Sequence, residues 1–99
     1  METRVAIIGI IVENRDKNRD SIEKLNNILH DYGNYIIGRM GLPYREMGIN
    51  IISIAINAPQ DVISALSGKL GRLPGVSTKV LYSKVTGKTK KEVSDETAR

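Results

Sequence analysis

The run Val5-Ala6-Ile7-Ile8-Gly9-Ile10-Ile11-Val12 constrains this chain more than any other stretch. It is apolar throughout, and a strand alternates its side chains between two faces, so neither face of this one is written for water. A short β-branched run bounded by charged residues, here Arg4 and Glu13, predicts a central strand buried on both sides. The rest of the fold has to supply what buries it.

The segments that follow do so in a regular order. Asn14 to Asp20 is polar and rich in N-cap residues. Ile22, Leu25, Ile28, Leu29 and Tyr32 then form one stripe of an amphipathic helix, stopped by Gly33. Asn34 to Leu42 reads as a second strand ended by Pro43, with Glu46, Met47 and Gly48 in the turn. Ile49 to Asn57 is a third strand, with Ile52, Ile54 and Ile56 on one face and Ile51, Ser53 and Ala55 on the other. Pro59 suits the first turn of a second helix, and Asp61 complements its dipole. The buried stripe of that helix is Val62, Ile63, Leu66 and Leu70. Gly71 and Pro74-Gly75 end it, and Gly68 is expected to let it lie close on the sheet. Val76, Thr78, Val80 and Tyr82 alternate with Ser77, Lys79, Leu81 and Ser83 in a fourth strand.

The order β-α-β-β-α-β, with right-handed crossovers, predicts an α+β ferredoxin-like sandwich: a four-stranded antiparallel sheet with two helices on one face. The first and third strands, the most apolar, fall in the middle. Residues 1–84 form this single domain, and 85–99, poor in apolar side chains, is expected to be a disordered tail.

Covering one sheet face leaves the other open. That face carries Val5, Ile7, Gly9 and Ile11 from the first strand and Ile51 and Ala55 from the third. An apolar surface of this extent is expected to be hidden by a partner, most simply in a homo-oligomer, a dimer or a tetramer.

Composition removes several functions. With no Cys and one His in 99 residues, there is no thiolate metal site, disulfide or Cys nucleophile, and no cofactor is called for. No stretch approaches the length of a membrane helix. No basic, cleavable leader precedes the first strand, so the chain is read as cytoplasmic. The net charge is +4, which invites a nucleic-acid reading. Yet Arg15, Lys17 and Arg19 alternate with Asp16 and Asp20, and Lys88, Lys90 and Lys91 are followed by Glu92, Asp95 and Glu96. A mixed, solvated surface explains this pattern better than a phosphate-tracking patch. The central strands also lack the aromatics on which such a fold stacks RNA bases.

No catalytic set emerges. His30, near the end of the first helix, has a structural role there through the helix dipole. Gly68-Lys69-Leu70-Gly71 fails as a P-loop, having Leu70 where a Ser or Thr must follow the Lys. It also fits poorly as a KH-type GxxG loop, which joins two helices and clamps a nucleic-acid backbone, because here a helix precedes it and a strand follows. An acylphosphatase-type enzyme would need a phosphate cradle after the first strand, and Glu13-Asn14-Arg15-Asp16 is acidic and without Gly. The chain is therefore read as a binding module and not an enzyme. The most unusual stretch is Gly38-Arg39-Met40-Gly41-Leu42-Pro43-Tyr44-Arg45-Glu46. Arg39, Tyr44 and Arg45 are the candidate ligand-binding residues, because Arg forks take carboxylate or phosphate bidentately. The alternative is an edge strand guarded by charge and proline.

Two segments together resemble a known family. Gly38-Arg39-Met40-Gly41-Leu42-Pro43-Tyr44-Arg45 is one. The more specific runs from Ile63-Ser64-Ala65-Leu66-Ser67-Gly68-Lys69-Leu70-Gly71 through Leu73-Pro74-Gly75-Val76. With the opening strand and helix they resemble the small regulators of the iron-only hydrogenase system, over about Arg4 to Lys84. That family is similar in fold to ACT domains and to the C-terminal domain of nickel-responsive repressors, modules that oligomerise and bind small effectors. The resemblance implies a part in hydrogenase expression or maturation. Two departures limit it. The His and Cys ligands of nickel-responsive repressors have no counterpart here. The chain also opens on a core strand, so no direct sequence-specific DNA reader is expected, and any transcriptional effect would pass through a protein partner or follow a small-molecule effector.

Overall fold

The computed structural model describes residues 2–13 and 19–86. Strand β1 spans Arg4–Glu13, helix α1 Arg19–Asp31, strand β2 Ile36–Tyr44, strand β3 Ile49–Ala58, helix α2 Gln60–Gly71 and strand β4 Val76–Thr86. The sheet order is β2-β3-β1-β4, and every neighbouring pair is antiparallel. This is the α+β ferredoxin-like arrangement expected from the element order, with β1 and β3 inside. The tail expected at 85–99 lies, from residue 87 on, outside the described residues; β4 itself continues past residue 84 to Thr86.

Between sheet and helices lies one core. β1 contributes Ala6, Ile8, Ile10 and Val12; β3 contributes Ile52, Ile54, Ile56 and Ala58. Register sets these in rows, with Ile8 opposite Ile54 and Ile10 opposite Ile52. Leu25 and Leu29 from α1 and Ile63, Leu66 and Leu70 from α2 close the layer, with Ile22, Ile28, Tyr32 and Val62 packed at its margin. Each fully buried side chain of this size contributes about 1.5–3 kcal/mol. Branched aliphatics interdigitate between helix and sheet without polar atoms to satisfy.

The connections tie the layers together. Ser21, a buried polar residue without a part in the expected apolar stripe, donates its hydroxyl to the Pro74 carbonyl at 2.8 Å. This bond joins the start of α1 to the turn after α2. In that turn Gly75 takes φ +75°, and its carbonyl accepts from the Glu13 amide at 2.8 Å. The close approach of α2 to the sheet is at Gly71 and not at Gly68. A Cβ on Gly71 would sit 3.2 Å from Thr78 Oγ1, whereas one on Gly68 would meet only the tip of Arg72 at 3.7 Å. Just above this contact the Ser67 and Thr78 hydroxyls lie 3.2 Å apart.

The edge strand β2 differs from its expected limits at both ends. β2 begins later, after a short 3-10 turn over Gly33–Tyr35, and runs through Pro43 to Tyr44. Pro43 pairs with Asn50 inside the ladder. The reason is position: β2 is an edge strand, where a residue without an N–H breaks no ladder bond on its solvent side. A second 3-10 turn, Arg45–Met47, and Gly48 in the left-handed region at φ +66° close the hairpin into β3.

Candidate functional site

Strand periodicity decides where the three candidate residues go. In β2, Arg39 pairs with Ile54 and Gly41 with Ile52, both core positions, so Arg39, Gly41 and Pro43 sit on the helix side of the sheet. Tyr44 pairs with Ile49 and has the opposite parity, and Arg45 lies in the turn beyond. The three therefore do not converge. Arg39 reaches toward α1 and donates through Nη2 to Asn26 Oδ1 at 3.2 Å. Tyr44 donates its hydroxyl to Glu46 Oε1 at 3.0 Å within the hairpin tip. Arg45 is exposed on the turn.

Arg39 stands at the mouth of a cleft of about 240 Å³ between α1 and the β2–β3 edge. Val12, Ile22, Leu25 and Ile52 supply its apolar floor. Asn26, Arg39 and Asn50 supply its polar groups, and Gly41 and Pro43 its sheet-side wall. The cleft stays open where Gly41 offers no side chain to fill the space beside α1. One cation and two carboxamides over an apolar floor can hold a small group with an anionic end. Sequence patterning located Arg39 but not Asn26. Nothing in the spacing of α1 says which of its polar residues overhangs β2, so that partner was legible only from the packing.

The second feature is the other face of the sheet. Ile7, Ile11, Met40, Leu42 and Leu81 are exposed there, Leu81 by 70% and Met40 by 63%. Register sets them in rows: Leu42, Ile51, Ile11 and Ser77 in one, and Met40, Ser53, Gly9 and Lys79 in the next. Gly9 and Ser53 leave a trough of about 390 Å³, lined also by Ile11, Ile51 and Ser77. A Cβ on Gly9 would find its nearest neighbour at 3.9 Å, in Lys79 O, so the glycine is not demanded by the fold of the single chain.

The remaining candidates lie away from both features. His30 is exposed in the last turn of α1. Lys69 lies 5.1 Å from the Tyr32 ring centroid, bridging the two helices through a cation–π contact. Among the described residues no group of three or more His, Asp or Glu side chains is placed to hold a metal ion. Among them too, no helix is long and apolar enough to cross a membrane.

Comparison with known proteins gives these features a context. Residues 4–80 match the model of the family described as "TM1266-like: Iron-only hydrogenase system regulator, putative". The uncharacterized protein TM1266 from Thermotoga maritima is similar in structure, with a TM-score of 0.76 and 38% identity over 83% of this chain and 99% of that one. The ACT domain of the GTP pyrophosphokinase of Chlorobium tepidum shares the fold, with a TM-score of 0.66 and 18% identity over 80% of this chain and 99% of that one. A formyltetrahydrofolate deformylase from Pseudomonas putida KT2440 shares it more distantly, with a TM-score of 0.53 and 12% identity over 78% of this chain and 28% of that one. No curated protein matches the sequence. The chain belongs to the family of iron-only hydrogenase system regulators, and its fold is ACT-like.

Proposed function

From that membership we propose that the chain is a non-catalytic regulatory module of the cell interior. It works as a homo-oligomer joined through the open face of its sheet and reports the state of a small effector to a protein partner. The observation that carries the reading is the apolar open face. Folding leaves Ile7, Ile11, Met40, Leu42 and Leu81 in water, more than isolated surface hydrophobics account for.

A second copy is the occupant best suited to that face. Four strands about 4.8 Å apart and roughly nine residues long make a face near 20 Å by 30 Å. With side-chain relief this approaches the ~800 Å² per partner of a standard stable interface. The face also carries both halves of a contact: projecting Met40, Leu42 and Leu81, and the trough over Gly9. In a two-fold arrangement the projections of each copy can fill the trough of the other.

Light scattering after size exclusion, at low and moderate salt, tests the reading. A dimer or tetramer is expected at both, since apolar burial is little screened. Gly9→Val, whose Cβ meets nothing closer than 3.9 Å in the single chain, puts a side chain into the trough and is expected to weaken the assembly. A strictly monomeric wild-type protein that binds nothing would end the proposal. The family description favours regulation over catalysis.

A further inference from the structure

We propose that the cleft between α1 and the β2–β3 edge is a binding site for a small monocarboxylate with an apolar, branched body. The inference rests on the regulatory reading above and gives its effector a chemical class and a place.

The lining decides the charge. Among the described residues around the cleft Arg39 is the one charged side chain, and no carboxylate is present. Asn26 accepts from Arg39 Nη2 at 3.2 Å. That contact orients the guanidinium without neutralising it and leaves its other N–H groups to form a charge-assisted fork. An anion of one charge is matched; a phosphate would carry more charge than a single Arg compensates. An ammonium group beside the carboxylate would meet no counter-charge among these residues, so a simple carboxylate is preferred over the corresponding amino acid.

The floor decides the body. Val12, Ile22, Leu25 and Ile52 offer branched aliphatic surface, and filling it removes ligand CH₂ and CH₃ groups from water. The extent of that floor, four aliphatic side chains, suits a C5 to C6 acid.

Gly41 is the internal control for this geometry. It lines the cleft, its φ is not positive, and a Cβ built on it meets nothing within 4 Å. Gly41→Val therefore fills the site with an acceptable strand residue, where Arg39→Gln removes the charge and keeps a hydrogen-bonding group.

The test is titration calorimetry of the full chain with 4-methylpentanoate, 4-methylpentanamide and leucine, paired with light scattering on the same samples. The carboxylate is expected to bind at least about tenfold tighter than the amide, because a charge-assisted pair replaces a neutral one. Leucine is expected to bind more weakly than the carboxylate. Arg39→Gln is expected to lose about tenfold or more in affinity, and Gly41→Val to lose binding while keeping its far-ultraviolet circular dichroism and its assembly state. No heat from 4-methylpentanoate up to about 10 mM, a limit corresponding to a very weak site, overturns the proposal. So does binding that neither substitution changes, or an amide that binds as well as the acid. If the protein is oligomeric yet binds none of these, the cleft assignment fails and the regulatory reading stands. If a monomer binds the acid through Arg39, the cleft assignment stands and the homo-oligomer reading fails.

Discussion

The two faces of β1 are built from the same kind of residue and meet opposite fates. Ile8 and Ile10 are buried to 0–1% exposure under the helices. Ile7 and Ile11, their sequence neighbours, are 45% and 38% exposed on the open side. Hydropathy does not separate these two sets; coverage does. The helices can pack on one side only, because both crossovers are right-handed and leave the sheet the same way. An apolar residue on the other side is thus free to serve a contact outside the chain. The core-like character of the open face is therefore surplus to the packing of the single chain, which is what the proposed homo-oligomer draws on.

Substitutions at adjacent positions can break this comparison. The largest effect is expected from Ile8→Ala, which empties volume in a fully packed layer and costs about 2–5 kcal/mol. For a domain of this size that lowers Tm by more than about 10 °C in differential scanning calorimetry. Ile7→Ala, one residue away, should cost less than about 1 kcal/mol in dilute protein, since nearly half of its surface is already in water. Equal losses at the two positions would mean that the open face is part of the folding core after all.

Ile7→Lys sharpens the contrast in the other direction. It keeps the single-chain fold and places a charge in the middle of the proposed interface, where desolvating it costs several kcal/mol. Sedimentation should show the assembly reduced to the single chain while circular dichroism stays unchanged. An assembly that survives this change joins through another surface.

Smaller effects test how the covered face is finished at its ends. Ser21→Ala removes the 2.8 Å bond to the Pro74 carbonyl and should cost about 1 kcal/mol in urea unfolding, with m unchanged. Arg4 lies 4.3 Å over the Tyr82 ring and donates to Gln60 Oε1 and the Ser83 carbonyl at 3.2 and 3.4 Å. Arg4→Gln should lower stability by about 0.5–1 kcal/mol, the range of an exposed cation–π contact. A loss no larger than that of a distant surface charge would show that this contact holds nothing in place.

The same comparison explains which parts of the molecule were legible in one dimension. Element types and order followed from periodicity, because buried positions recur every second residue in β3 and every third or fourth in α1 and α2. The inner place of β1 and β3 followed from their apolar content. The end of β2 did not, because Pro43 reads as a stop until β2 is known to be an edge strand. Gly68 and Gly71 look equivalent in sequence, and only the approach of Thr78 shows that Gly71 makes the contact. For the candidate site, Arg39, Tyr44 and Arg45 stood out by residue type. Their separation onto two faces and a turn depended on register, which a bulge between Ile36 and Gly38 resets.

By itself the sequence determined a ferredoxin-like α+β domain, a core of branched aliphatics, and an apolar strand with more surface than one helical layer can cover. These are local or periodic properties, and the alternation of side chains carries them. Tertiary structure decided that Arg39 meets Asn26 across a cleft, that Tyr44 and Arg45 stand apart from it, and that Gly9 opens a trough among projecting side chains. Those relations join residues distant in the chain. They depend on register, on strand order and on which face the helices occupy, none of which a single position encodes.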